Sequence, residues 1–398
     1  MNFRLFSSLF MSVCLMQSST YGLTFLLPEL FLAAGGTTAD VGSVLGFTAV
    51  ATLAVVLLLG KLTKRVGVMM PLALSGVLCT LSLTLFASAA EVSGTLYLAG
   101  VLLGLGWGMF YVLGPIALAQ ILTPDRRVVQ FTWLSASIMI GIGSGPIIGY
   151  LIGVRAAYYF VAVLCLICSA VFVSLASSQA VLRVADAAVE DDLSLRSALR
   201  VFRSLAWRPI VMVGLGASVF AAVSNFQTVY AEESGLNYAT FFLFYTATVI
   251  IGRLAMARFI GSRAPYGLIA VLMVVMTVAV LILLAQSSNV LTYILAAVLF
   301  GIGYGIAYPI VKAMAANDAR PELVAATLQL FGLSYFIGIF GFPVIAGVLL
   351  SRTGIAGLLI LAAALAALEG LLAFGRWRRD LPILGPTSSK HASERDYP

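Results

Sequence analysis

The sequence predicts an all-α membrane protein of twelve transmembrane helices in two pseudo-symmetric six-helix bundles. Three observations carry that prediction: composition, the number and length of the apolar runs, and an internal repeat. Of 398 residues, 61% are hydrophobic and only 10% charged, with a mean hydropathy of +1.07. Soluble globular domains run about 45–50% apolar and about 25% charged. A soluble enzyme would lack a polar surface, and a disordered chain would hold far less Leu, Val, Ile and Phe. Cutting the chain at charged or Gly/Pro-rich breaks leaves twelve runs, each near the roughly 20 residues that cross a bilayer as a helix. Lipid offers no partner to open backbone groups, so each run must be helical. Residues 98–148 laid on 295–345, an offset of 197 without a gap, share sixteen identities in fifty-one positions. They include Gly104/Gly301, Gly106/Gly303, Gly108/Gly305, Tyr111/Tyr308, Pro124/Pro321 and Pro146/Pro343, which apolar bias alone does not favour. Arg155 and Arg352 obey the same offset.

The first run, 5–34, follows Arg4 and exceeds the roughly 7–15-residue core of a signal peptide, without a small-residue cleavage site, so it reads as a retained span. Runs 41–60, 66–90, 93–122, 129–153 and 156–178 complete a first half, 1–178. The polar stretch 179–208, with Arg183, Asp186, Glu190, Asp191, Asp192 and four further arginines, reads as a cytoplasmic linker. Runs 209–231, 238–259, 265–287, 290–316, 323–351 and 355–375 form the second half, 209–375. The tail 376–398 opens on Arg376, Arg378 and Arg379, a stop-transfer anchor.

If successive spans alternate in direction, every Lys and Arg except Arg155 and Arg352 falls on one side of the membrane. The positive-inside rule then predicts that both termini are cytoplasmic, in a multi-pass protein of the plasma (inner) membrane. The formal charge of +7 therefore records topology, and no nucleic-acid partner is expected. Cys14, Cys79, Cys165 and Cys168 lie inside apolar runs as small hydrophobes, and the lone histidine, His391, lies in the tail. No phosphate-binding loop, metal-ligand cluster or Ser/His/Asp set appears. No enzyme activity, cofactor or metal is expected, and an ATP-driven pump has no support.

The turn after the second span reads Gly60-Lys61-Leu62-Thr63-Lys64-Arg65-Val66-Gly67. It resembles the Gly-x-x-x-Asp-Arg-x-Gly loop motif of the major facilitator superfamily, with Lys64 where that family has Asp, so the usual loop-to-helix ion pair cannot form the same way. Gly252-Arg253 in the second half keeps the glycine and the basic character, again without the acid. The fifth span carries Gly141-x-x-x-Gly145-Pro146-x-x-Gly149-Tyr150, which resembles the antiporter motif of drug and metabolite exporters in that superfamily, with Tyr150 for its last glycine. Glycines four apart clear one helix face for close approach of a neighbour, and Pro146 removes a backbone hydrogen bond. Plain helix packing is the alternative. The family's proton-driven exporters carry an Arg in the fourth span where this chain has Gly100.

The resemblance covers about residues 5–375. It implies alternating access around a midplane cavity walled by the first, fourth, seventh and tenth helices. Acids at membrane depth are functional candidates. Glu29, after Pro28 in the first span, is the leading proton-coupling candidate; Asp40, at the start of the second span, reads also as a helix cap, and Glu369, in the twelfth, as a side chain that snorkels or pairs. Trp107 and Tyr111 share one face of the fourth helix, and Tyr304, Tyr308 and Lys312 one face of the tenth, so two aromatic ladders are expected to face each other. Gln17, Tyr21, Asn225 and Gln227 add polar cavity candidates. Aromatic walls suit planar or amphipathic ligands, and Lys312 favours an acid group.

The expectation is a monomeric, proton-coupled exporter of a small organic molecule, a drug, metabolite or siderophore-like organic anion. The alternatives are a proton symporter or facilitator for nutrient uptake, and a membrane sensor that transports nothing.

Overall fold

The computed structural model describes residues 3–121, 124–176, 194–256, 265–285 and 288–380. Among them every regular element is helical, and eleven segments are long and apolar enough to cross a membrane. The last, Val324–Arg378, is 55 residues long and breaks at Gly354, whose φ of 69° interrupts the helix. Two crossing lengths result, so the described chain holds the twelve expected helices.

In chain order α1 is Phe3–Leu23, carried through a 3-10 turn at Thr24–Leu26 into Leu27–Ala33. The turn has a local cause. Pro28 has no N–H to offer the Thr24 carbonyl, which accepts from Leu27 instead. α2 (Thr38–Val66) opens on a capping box: Thr37 Oγ1 accepts from the Asp40 N–H, and the Asp40 carboxylate accepts from the Thr37 N–H at 2.8 Å. α3 (Met69–Ser88), α4 (Gly94–Ile121), α5 (Pro124–Ile152) and α6 (Val154–Ala176) complete the first six.

α7 (Trp207–Asn225), α8 (Tyr238–Met256) and α9 (Pro265–Leu284) follow. α10 runs from Val290 to Asn317 with a π turn at Gly301–Gly305, and α11 from Val324 to the break at Gly354 with a π turn at Ile337–Gly341. α12 continues from there to Asp380.

Several boundaries move. The motif residues Gly60 to Arg65, expected in a turn, are the last helical turns of α2, and only Gly67, at φ 73°, ends it. Of the 179–208 linker, residues 179–193 lie outside the described residues; the rest carries a short helix, Leu195–Phe202, capped by Ser194, and the first residues of α7. Arg155 and Arg352 prove inequivalent. The glycines that turn the chain at that end are Gly153 and Gly354, so Arg155 starts α6 whereas Arg352 ends α11. The repeat offset drifts by a few residues there.

Within the first six helices α1 packs on α5, and α4 on α2 and α3; within the second, α7 lies against α10, α11 and α12, and α9 against α12. Among the described residues the two sets meet closely from mid-membrane to the end away from the Lys/Arg-rich turns. There Gly42 of α2 abuts the Pro343 carbonyl of α11, Gly347 of α11 abuts Thr38 of α2, and Gly143 of α5 abuts Thr246 of α8. On the basic side of these contacts the two halves wall a cavity, bridged by hydrogen bonds between them.

Candidate functional site

The cavity has a volume of about 360 Å³ and is walled by both halves. α1 contributes Tyr21; α4, Tyr111 and Pro115; α7, Phe220; α8, Tyr245 and Arg253; α10, Tyr304, Tyr308 and Lys312; α11, Tyr335. One face of α5 closes a side with Ser135, Ile138, Met139 and Ile142, spaced i, i+3, i+4 and i+7.

Aromatic side chains supply nearly half of the residues in the wall and hold one another in place. Phe220 stacks on Tyr304 at a centroid distance of 4.6 Å, Tyr111 stacks on Tyr335 at 5.5 Å, and Tyr308 lies 5.1 Å from Tyr335. The Tyr111 and Tyr308 hydroxyls, related by the 197-residue repeat, are 3.0 Å apart. Of the two ladders expected from the sequence, Tyr111 and Tyr308 meet, whereas Trp107 does not line the cavity.

The charges are one-sided. Arg253 and Lys312 line the cavity, and among the described residues no Asp or Glu does. Arg253 is fixed by a consequence of backbone chemistry. Pro309 has no N–H, which leaves the Gly305 carbonyl without its helical partner, and the Arg253 Nε donates to that oxygen at 2.9 Å. Its Nη1 donates to the Ser135 hydroxyl at 2.8 Å, so one guanidinium ties α8 to α10 and reaches across to α5 in the other half. Lys312 is exposed, one turn beyond Tyr308 towards the basic end.

The other predicted residues go elsewhere. Trp107 is fully buried behind the wall, stacked on Tyr21 at 5.0 Å, so it supports the ring that faces the cavity. The Gln17 side chain donates to Ser75 Oγ at 2.7 Å between α1 and α3. Gln227 donates to the Tyr293 hydroxyl at 2.7 Å, and Asn225 Oδ1 accepts from Thr24 Oγ1 at 3.4 Å. All three serve helix–helix contacts, the alternative that their polarity allowed. Glu29 is exposed and lines a separate cavity of about 260 Å³ with Thr228, Glu232 and Tyr238, at the end away from the basic turns. Asp40 is occupied by the capping box. Glu369 neither snorkels nor pairs: it is 2% exposed, against Gly216 of α7, because its position on α12 faces the helix bundle and not its surface.

The glycine motif on α5 works as close packing against α1. A Cβ at Gly145 would lie 2.6 Å from the Gly22 carbonyl carbon, and Gly141 abuts the Leu15 carbonyl; Gly149 abuts the Leu26 side chain. Pro146 lies in the interior of the same helix. Gly252 of α8 gives room to Ile306 of α10. Lys64 and Arg65 are exposed at the end of α2.

Sequence reasoning missed Phe220, Tyr245, Tyr335 and Ser135. The face 135/138/139/142 on α5 has the same helical spacing that marked α10, and Tyr335 aligns by the 197-residue offset with Ile138, so the signal was present.

A family model described as Major Facilitator Superfamily matches residues 9–343. No curated protein sequence matches the chain. Among solved structures, a point-mutant form of the nucleoside transporter NupG superposes with a TM-score of 0.75, covering 94% of this chain and 99% of that one, at 14% sequence identity. At that identity the likeness concerns the fold.

Proposed function

The chain belongs to the Major Facilitator Superfamily, and from that premise we propose that it is a secondary transporter that exports a small aromatic organic anion by alternating access, driven by exchange with protons. The observation that carries the substrate class is the wall of the cavity: tyrosine and phenylalanine rings around two cationic side chains, Arg253 and Lys312, with no acid beside them among the described residues. Rings bind the flat face of an aromatic ligand, while a guanidinium and an ammonium attract its carboxylate or sulfonate. A cationic drug would meet two like charges, Arg253 and Lys312, in the same cavity.

By the positive-inside rule the basic end and both termini would be cytoplasmic, so this conformation would be the one that faces the inside of the cell; the choice of export rests on the resemblance of the α5 glycines to the antiporter motif. The α5 glycines, which resemble the antiporter motif, sit in a helix that packs on α1 and also touches α8 of the other half, where a rocking motion must be accommodated. In this reading the protein works as a monomer in the plasma membrane, and its partners are the substrate, protons and the bilayer.

The test is purified full-length protein in liposomes with an imposed pH gradient, offered aromatic carboxylates and sulfonates alongside cationic dyes of similar size. Gradient-driven movement of the anions, with the dyes left behind, supports the reading. Movement of the dyes alone overturns the substrate class, and flux that is indifferent to the gradient overturns the proton coupling.

A further inference from the structure

Among the described residues the only fully buried carboxyl lies outside the cavity. Glu369 stands midway along α12, and its Oε2 has no hydrogen-bond partner. It faces bare backbone: a Cβ at Gly216 of α7 would lie 2.8 Å from Oε2 and 3.3 Å from Oε1. The neighbouring Gly370 faces Met273 of α9. No cation answers it from the helices packed there. α7 carries only Arg208, at its start; α9 only Tyr266, at its start; α11 carries Tyr335, in the cavity wall, and Arg352, at its far end. On α12 itself Arg376 is two turns away and lies over the Tyr266 ring at 5.6 Å. An ionised carboxylate buried to this extent, with Oε2 unpartnered and no cation facing it, is strongly disfavoured, which leaves the neutral acid as the form that fits this packing.

α7 joins this carboxyl to the substrate cavity. Phe220, one turn beyond Gly216, stacks on Tyr304 in the cavity wall. On its flank towards α11 the helix rests on small groups. A Cβ at Gly214 would lie 2.6 Å from Ser334 Oγ, and one at Gly338 would lie 2.8 Å from the Gly214 carbonyl oxygen. Gly338 belongs to the π turn of α11, an irregularity of the kind that lets a helix adjust its register. A ligand that displaces Phe220 therefore pushes on the helix whose other turn covers Glu369.

We propose that Glu369 is the proton-binding residue of the transport cycle, holding a proton in the conformation described and releasing it when α7 shifts and water reaches the Gly216 face. This rests on the transport reading above and adds to it the residue that couples. Substrate and proton sit on neighbouring turns of α7, so occupancy of one site changes the packing of the other.

The test uses the full chain in liposomes and two readouts. Dicyclohexylcarbodiimide attacks protonated carboxyls in apolar surroundings, and mass spectrometry of the Glu369 peptide reads the adduct. Labelling that falls as pH rises supports the proposal; absent or pH-independent labelling overturns it. The second readout is transport of 1-naphthalenesulfonate, an aromatic anion that does not itself carry protons. Glu369→Gln, a neutral match for the protonated acid, should keep exchange without a gradient and lose accumulation against one. A variant that accumulates as the unaltered protein does overturns the proposal and leaves the transport reading standing. An unaltered protein that moves no aromatic anion under any pH gradient overturns the transport reading, and this assignment with it.

Discussion

Tyr111 of α4 and Tyr308 of α10, residues that the internal repeat superposes, meet hydroxyl to hydroxyl at 3.0 Å across the two halves of the molecule. The pseudo-twofold axis thus passes close to a hydrogen bond between symmetry-related side chains. A neutral bond of this kind contributes about 0.5–1.5 kcal/mol. Tyr111→Phe and Tyr308→Phe should each destabilise the empty protein by that order, and the double variant by little more than either one, in thermal unfolding of the detergent-solubilised chain. Additive losses would mean that the two hydroxyls do not rely on each other.

Arg253 has two distinguishable roles, because its Nε satisfies the carbonyl that Pro309 orphans while its charge faces the cavity. Arg253→Lys keeps the charge and loses the fork geometry. It should bind an aromatic anion more weakly than the unaltered protein but better than Arg253→Ala, in titration calorimetry. Equal losses in the two variants would assign the residue to structure alone.

Lys312→Ala should weaken aromatic anions by on the order of tenfold, about 1.4 kcal/mol, and leave uncharged aromatic analogues nearly unaffected. Equal losses for charged and uncharged ligands would point to packing.

The α1–α5 contact admits no side chain at Gly145 without movement of the Gly22 backbone. Gly145→Ala should destabilise by about 1–3 kcal/mol, the usual range for overpacking, and Gly145→Leu should fail to give folded protein. Gly114, inside α4 with open space around it, is the control: Gly114→Ala should be stabilising by about 0.4–1 kcal/mol, because alanine is the better helix former.

Glu29 and Glu232 share the small cavity at the end where the halves close, and both are exposed. Glu29→Gln should remove a like-charge repulsion and favour closure at that end, read by cross-linking of cysteines placed on α2 and α11, while gradient-driven accumulation persists. Loss of accumulation in Glu29→Gln with retention in Glu369→Gln would move the proton site to α1.

The fold was legible because both of its signals are long-range in the sequence: apolar runs of bilayer length and a repeat that carries glycines and prolines at fixed offset. The cavity was half legible. Helical spacing found Tyr304, Tyr308 and Lys312, since they share one face of a single helix. It could not separate Tyr111, in the wall, from Trp107, buried one turn behind, because both lie on a face that curves from cavity to neighbour. Gln17, Asn225 and Gln227 looked like ligand contacts on polarity alone, and their partners Ser75, Thr24 and Tyr293 come from other helices or turns that a single-helix pattern does not reveal. Glu369 is the converse case. Its chemistry was visible in the chain, but its isolation depends on Gly216, 153 positions earlier.

The central claim is that this cavity selects an aromatic anion through Arg253 and Lys312. Titration calorimetry of the detergent-solubilised full chain with 1-naphthalenesulfonate, and with a naphthyl-ammonium of matching shape, tests it most directly. The sulfonate should bind, the ammonium should not, and the Arg253→Ala/Lys312→Ala double variant should lose the sulfonate. Preferred binding of the ammonium, or sulfonate binding undiminished in the double variant, would contradict it.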